Sequence, residues 1–303
     1  MSQNGKIRVG IVGLGIMGSA YASFLCRSEH EVYGFDVSPD SLAAFSAMGG
    51  VVCSSPAELG AKCDIVLVAL ASLKALDAAV LGNDGLVAGL KAGAIVCEMG
   101  TLPLDAKEKV RDALAPNGVV VLDCPVSGTG AQAAKGDLVI YASGDEAAVE
   151  RARPVFNSFS REVRFVGPFG AGIKLKFIAN LLVTIHNLAA AEAFLLAQKS
   201  GLDLQMVYEA VASGAGSSRM FEVRGPLMVA DTYEPATMKM DVYMKDLTLI
   251  LDHARDVRCP TPLMSASLPY YVAALAEGRD KEDTASLFGV LQHMAQPAAK
   301  GKK

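Results

Sequence analysis

Residues Ile7–Gly18 read IRVGIVGLGIMG. The run Ile7–Val12 is short and rich in β-branched residues, the composition of a strand, and Ser19–Cys26 reads as helix. Between them Gly13, Gly15 and Gly18 stand in G-x-G-x-x-G spacing. In a strand-turn-helix unit the first glycine permits the tight turn, the second lets the backbone approach a ligand, and the third lets helix and strand pack closely. The unpaired N–H groups at the helix start then suit an anion such as a pyrophosphate. The glycines alone do not decide the matter, because a plain tight turn can show the same spacing.

The sequence that follows adds the context. A second strand, Glu31–Asp36 (EVYGFD), ends in an acid eighteen residues after Gly18, where a carboxylate meets the adenosine ribose of a dinucleotide. Asp36 thus favours NAD over NADP, whose 2′-phosphate a carboxylate repels; its other possible role is that of a turn residue in DVSPD. Strands are expected again at Asp64–Leu70, Ala94–Glu98 and Val119–Asp123, with helical stretches between. That alternation implies a doubly wound, mainly parallel sheet whose ligands sit at the carboxyl ends of the strands. The loops Ala69–Ser72, Gly100-Thr101 and Asp123–Gly130 should line one crevice.

The chain has 303 residues, half of them apolar and a fifth charged, with a net charge of −4. Such a length suggests two domains, and the absence of a basic excess argues against nucleic acid or anionic membranes as partners. We expect a dinucleotide-binding Rossmann domain over 1–168 and an all-helical substrate and oligomerisation domain over 169–303. The six cysteines are scattered without a C-x-x-C pair, no long apolar segment precedes the first strand, and the four histidines lack metal-ligand spacing. Free thiols, a cytoplasmic location and no metal site are the expectations.

From Gly170 to Gln296 the pattern is helical, with breaks expected at Gly201, Ser213–Ser218, Gly225-Pro226 and Cys259–Pro262, and a disordered tail from Pro297. The stretch Ile173–Lys199 contains no Gly or Pro and is apolar nearly all round, so it reads as a central helix about 40 Å long. It suggests burial against a partner subunit, in a homodimer or homotetramer. Lys176 and Asn180 are one turn apart on a common face, and Asn187 returns to nearly the same angle. Lys174 points away from Lys176, because two residues rotate a helix by about 200°. An ammonium on a buried face requires a reason, since burying it unpaired is costly. Arg219 and Arg224 either reach an anionic substrate or serve the surface.

The segment DCPVSGTGAQAAKGDL, Asp123–Leu138, is rich in small residues. Ser127 offers a hydroxyl, and Gly128 and its neighbours offer backbone N–H groups suited to a carboxylate. With VGIVGLGIMG (Val9–Gly18), GAGIKLKFIAN (Gly170–Asn180) and KDLTLIL (Lys245–Leu251), this segment resembles, in order, the motifs of the β-hydroxyacid dehydrogenase family. That family includes 3-hydroxyisobutyrate dehydrogenase, tartronate semialdehyde reductase and the larger 6-phosphogluconate dehydrogenase. The segments LGNDGL (Leu81–Leu86) and EMGT (Glu98–Thr101) are similar to its intervening stretches. Cys124, Gly100 and Thr129 depart from the alanine, serine and glycine of many members, which bears on the substrate.

The resemblance implies that Lys176 is the catalytic acid/base and Asn180 its companion near the substrate. It places Ser127 and Gly128 on the substrate carboxylate or hydroxyl, Thr101 between nicotinamide ribose and substrate, and Met238 where members vary the pocket. Gly13, Gly15, Ile16, Met17, Gly18, Asp36, Ala69 and Leu70 would hold the cofactor, joined by Lys245, with Asp246 supporting that segment. The expected activity is hydride transfer between NAD, less readily NADP, and a small β-hydroxy acid or its semialdehyde. Lysine serves both directions if burial and a cationic nicotinamide lower its proton affinity. The alternatives are an NADPH-dependent reductase of the glyoxylate and succinic semialdehyde type, and a non-catalytic dinucleotide-binding module.

Overall fold

The computed structural model describes residues 6–296, so the tail expected from Pro297 lies outside them. Two compact units divide the chain, Met1–Lys176 and Phe177–Lys303. The division falls within a long helix rather than after Pro168, because the first turn of that helix is hydrogen-bonded to the sheet unit.

In the first unit, strands β1 (Arg8–Val12), β2 (Glu31–Phe35), β3 (Val51–Val52), β4 (Ile65–Val68), β5 (Ile95–Glu98) and β6 (Val120–Asp123) form one sheet in the order β3-β2-β1-β4-β5-β6. Every neighbouring pair is parallel. Helices α1 (Ile16–Leu25), α2 (Pro39–Ala47), α3 (Pro56–Lys62), α4 (Leu73–Leu81), α5 (Leu86–Gly89) and α6 (Leu104–Leu114) connect the strands. Val9, Ile11, Ile65 and Leu67 pack with Tyr21 and Leu25 of α1 on one face; Val12, Val66 and Val68 pack with Leu59, Leu76 and Val110 on the other. Because both faces are covered, the strands read as continuous apolar runs rather than alternating ones. The order reverses between β1 and β4, the switch point at which ligands bind in such sheets.

Beyond β6 lies a second sheet that the sequence reading does not anticipate. Strands β7 (Val126–Ser127), β8 (Val139–Ala142) and β9 (Glu162–Phe165) lie in that order, β7 antiparallel and β9 parallel to β8. Helix α7 (Gly130–Ala133) stands between β7 and β8, and α8 (Glu146–Asn157) between β8 and β9.

Helix α9 runs from Ala171 to Lys199, and its residues from Phe177 onward open the helical unit. By length and mean hydropathy, 1.4, it could cross a bilayer. Its buried residues are instead core contacts: Phe194 stacks on Phe221 at 5.0 Å and meets Phe288 edge-on at 6.2 Å. The unit continues through α10 (Leu204–Ala212), α11 (Arg219–Ala230), α12 (Met240–Asp256), α13 (Pro262–Ala276) and α14 (Leu287–Met294), with no strand among the described residues.

One expected break is absent. Gly225-Pro226 lies inside α11, although proline lacks the N–H that would bond to the carbonyl four residues earlier. That carbonyl, of Glu222, accepts from the Tyr208 hydroxyl at 3.0 Å instead. A Cβ on Gly225 would meet the same tyrosine ring at 2.7 Å, so the Gly-Pro pair is a seat for Tyr208. The helix stops at Asp231, which adopts φ 47°.

Candidate active site

The glycine turn behaves as its spacing requires. Gly13 has φ 93°, and a Cβ there would meet the Ala69 carbonyl oxygen at 2.6 Å. A Cβ on Gly18 would lie 1.8 Å from the Gly13 oxygen. Gly15 differs, since a Cβ there would meet no protein atom within 4 Å. It is also the N-cap of α1, and no side chain caps that end. Open space above an uncapped helix N-terminus is a cradle for an anionic group, and it fits the pyrophosphate of a dinucleotide. Ile16, 74 % exposed, and Met17 begin the helix there.

Beside the turn is a cavity of about 360 Å³ lined by Gly13, Phe35, Asp36, Leu70, Ala75 and Ala79, among others. Asp36 accepts the Leu14 N–H on Oδ2 at 2.6 Å and the Ser38 N–H on Oδ1 at 2.8 Å. It therefore ties the end of β2 to the glycine turn and makes the local turn as well. Ser38, not Asp36, caps α2.

The small-residue loop is built by β7 and α7. Ser127 pairs with Val139 in the small sheet. Gly128 has φ 141°, a backbone conformation that favours glycine, and a Cβ there would also press on the Leu138 side chain at 2.5 Å. Thr129 and Gln132 form a capping box on α7, a T-x-x-Q signal present in the sequence. Gln132 then donates to Asp137, which also pairs with Arg161 at 2.8 Å.

The start of α9 is tied down by hydrogen bonds to the sheet unit. The Ala171 N–H donates to the Pro168 carbonyl at 3.0 Å, Gly172 N–H to Ser143 Oγ at 3.0 Å, and Ile173 N–H to Asp123 Oδ2 at 2.8 Å. Two of the N–H groups that a helix leaves orphaned at its first turn are thus satisfied at the ends of β8 and β6. Gly172 permits this approach, since a Cβ there would lie 2.6 Å from the Tyr141 oxygen and 2.8 Å from that of Asp123. Lys176 follows within one turn and is buried, at 9 % exposure, whereas Lys174 is exposed.

Beneath this start lies an ion cluster that the sequence reading misses. Lys107 of α6 is wholly buried, its Nζ 2.6 Å from Glu98 Oε2 and 2.6 Å from Asp123 Oδ1. Glu98 and Asp123 are direct neighbours in the register of β5 and β6. Glu98 Oε1 accepts the Gly100 N–H at 2.9 Å, just before the half-buried Thr101, and Ser143 Oγ donates to Asp123. Burial pushes the Glu98 carboxyl above its usual range against the pull of Lys107. Burial alone would lower the Lys107 ammonium, but Glu98 and Asp123 together hold it above its ordinary value. Two signals were available: two parallel strands ending in acids, and a lysine on the same α6 face as Val110 and Leu114.

In the helical unit, Asn180 donates to Asp246 Oδ2 at 2.8 Å, and Lys245 pairs with Asp246 Oδ1 at 2.7 Å. Asp246 thus joins two residues singled out from the sequence. Asn187 serves the structure, donating to Tyr271 and to the Thr284 carbonyl. Of the two arginines, exposed Arg219 pairs with Glu222, and Arg224, 3 % exposed, pairs with Asp283. Asp283 also accepts the N–H groups of Thr237 (2.8 Å), Met238 (3.1 Å) and Ala285 (3.0 Å), so the backbone at Met238 is fixed to a buried carboxylate. Despite burial, Arg224 and these donors hold Asp283 below the ordinary carboxylate range.

Comparison with known proteins agrees with this geometry. Residues 8–167 match the family model described as the NAD binding domain of 6-phosphogluconate dehydrogenase, and residues 170–291 the one described as NAD-binding of NADP-dependent 3-hydroxyisobutyrate dehydrogenase. L-threonate dehydrogenase of Cupriavidus necator is 35% identical over 98% of this chain and 99% of its own. The crystal structure of 3-hydroxyisobutyrate dehydrogenase from Salmonella typhimurium superposes with a TM-score of 0.83 at 32% identity, covering 94% of this chain and 100% of that one. The 3-hydroxyisobutyrate dehydrogenase of Mycobacterium tuberculosis, solved with L-serine, gives 0.87 at 25% identity over 95% and 99%. With its glycine turn, its anchored helix and both halves matched in order, the chain belongs to the β-hydroxyacid dehydrogenase family of NAD(P)-dependent oxidoreductases.

Proposed function

We propose that this enzyme interconverts a small β-hydroxy acid and its semialdehyde or oxo acid with NAD, using Lys176 as general acid/base and no metal ion. The observation that carries the reading is the anchored start of α9. It leaves Lys176 buried within a turn of Ile173 while Lys174 faces solvent. When bound, the nicotinamide supplies the hydride acceptor or donor. In oxidation, Lys176 Nζ takes the hydroxyl proton as the carbinol C–H leaves as hydride; in reduction it returns that proton to the carbonyl oxygen. Ser127 and the Gly128 N–H hold the substrate carboxylate, Thr101 stands by the reacting carbon, and Met238 shapes the pocket. Asn180, oriented by Asp246, hydrogen-bonds the substrate oxygen, and Lys245 steadies the cofactor.

The similarity to a protein named L-threonate dehydrogenase supports a four-carbon polyhydroxy acid as the first substrate to test. Asp36 favours NAD, since a carboxylate accepts from ribose hydroxyls and repels a 2′-phosphate. An NADPH-dependent semialdehyde reductase is the second reading, favoured by the NADP-dependent description of the model matching residues 170–291. Ile178, Leu182 and Leu196, exposed on α9, support a homodimer or homotetramer, which light scattering would measure.

The test is a spectrophotometric panel of short hydroxy acids and semialdehydes, L-threonate included, with NAD and NADP, run on wild type and Lys176→Ala. The variant should lose a factor on the order of a hundred or more in kcat, with NADH affinity little changed. Near wild-type turnover would sink the acid–base assignment.

A further inference from the structure

We propose that Lys107 is a positioning residue for this reaction: its buried ammonium, acting through Glu98 and Asp123, sets where Thr101 and the Lys176-bearing turn of α9 stand. The inference rests on the Lys176 reading above. Each carboxylate gives one oxygen to the ammonium and keeps the other for the backbone. The second oxygen of Glu98 takes the Gly100 N–H, next to Thr101. That of Asp123 takes the Ile173 N–H and the Ser143 hydroxyl, and Ser143 in turn takes the Gly172 N–H. All three ionic side chains and Ser143 are wholly shielded from solvent.

Packing alone does not call for this arrangement. Buried ions are often replaceable by apolar residues of similar volume at little cost to stability. Apolar residues, however, cannot accept the N–H groups of Gly100 and Ile173. Ile173 lies about 4.5 Å along the helix axis from Lys176, so a shift of the first turn is passed on to the lysine almost undiminished. Misplacing a reacting group by about 1 Å can cost on the order of a hundredfold in rate. The polar partners of Lys107 are Glu98 and Asp123, so its charge acts through these two carboxylates.

A double-mutant cycle on the full-length enzyme tests the role, with kcat expressed per NADH-binding site counted by fluorescence titration. L-threonate and NAD are the probes, replaced by the best acid of the panel if L-threonate is not turned over. Lys107→Met should lower kcat by about 10- to 100-fold with NADH affinity within about twofold. In the Lys176→Ala background the same substitution should lower the residual kcat severalfold less than in wild type, because one of the two groups it positions is gone and only Thr101 remains. An equal loss in both backgrounds, or no loss in either, overturns the proposal. If Lys107→Met does not fold, Ser143→Ala decides, since it removes the acceptor for Gly172 N–H and leaves the three charges in place. It should lower kcat by about three- to tenfold only where Lys176 is present, and an unchanged kcat overturns the proposal. A full Lys176→Ala effect without this coupling defeats the positioning role alone, whereas near wild-type kcat in Lys176→Ala alone defeats the acid–base reading.

Discussion

In the sheet unit one lysine serves two carboxylates, whereas in the helical unit one arginine serves a single aspartate. Both clusters are buried, and both hold backbone segments that carry candidate site residues: Gly100 and Ile173 in the first, Thr237 and Met238 in the second. They differ in how well each anion is matched. Glu98 has the shared ammonium and one N–H, and burial keeps its carboxyl above the usual range. Asp283 has a guanidinium to itself, three N–H groups and the Thr237 hydroxyl at 2.7 Å, and it lies below that range despite its burial. The contrast teaches that enough donors can outweigh burial and leave a buried carboxylate favouring its charged form.

Removing the cation from each cluster should separate the two most sharply. Lys107→Met leaves two adjacent carboxylates with no counter-charge and should cost about 3–5 kcal/mol in chemical unfolding. Arg224→Met leaves Asp283 with all its remaining donors and should cost less, about 2 kcal/mol. Equal losses would break the comparison. A smaller effect concerns a neutral bond beside the second cluster: Tyr208→Phe strands the Glu222 carbonyl within α11 and should cost about 1–2 kcal/mol, measured the same way.

The smallest expected effect is in the pH dependence, where the clusters have opposite signs. Asp283, with a depressed pKa, contributes stability that is present above its unfolded value of about 3.9 and is lost as pH falls through the folded value. Glu98, with a raised pKa, does the reverse: its contribution is present below its unfolded value of about 4.3 and is lost as pH rises through the folded value. In Glu98→Gln the decline of stability as pH climbs from that unfolded value should flatten, while the loss on acidification, where Asp283 acts, should persist. Urea titrations at a series of pH values would show it, and an unchanged profile would mean that Glu98 titrates alike folded and unfolded.

Much of the sheet unit was legible in the chain. Gly18 proved to be forced by a contact within its own turn and Gly13 by the Ala69 backbone after β4, while Gly15 borders space left open at a helix start. Helix geometry set Lys174 and Lys176 on different faces, and the first is exposed while the second is buried. Less legible were features whose partners lie far off in sequence. Gly225-Pro226 read as a break because nothing local announces that Tyr208 will supply the missing donor. The sheet of β7, β8 and β9 escaped notice because β7 has only two residues and β9 only partly buried or exposed ones, too little for a periodic signal.

Strands, glycine turns and helix faces depend on steric and hydrophobic patterns a few residues long, and so this chain's sequence alone determined its doubly wound front half, its helical back half and the lysine that shares a face with Asn180. Which cation answers which carboxylate was decided only in three dimensions. The register of β5 and β6 sets Glu98 beside Asp123, and the docking of α6 brings Lys107 between them. A buried charge is tolerable only where the fold supplies its partners, and those partners come from separate elements that meet only when the chain is folded.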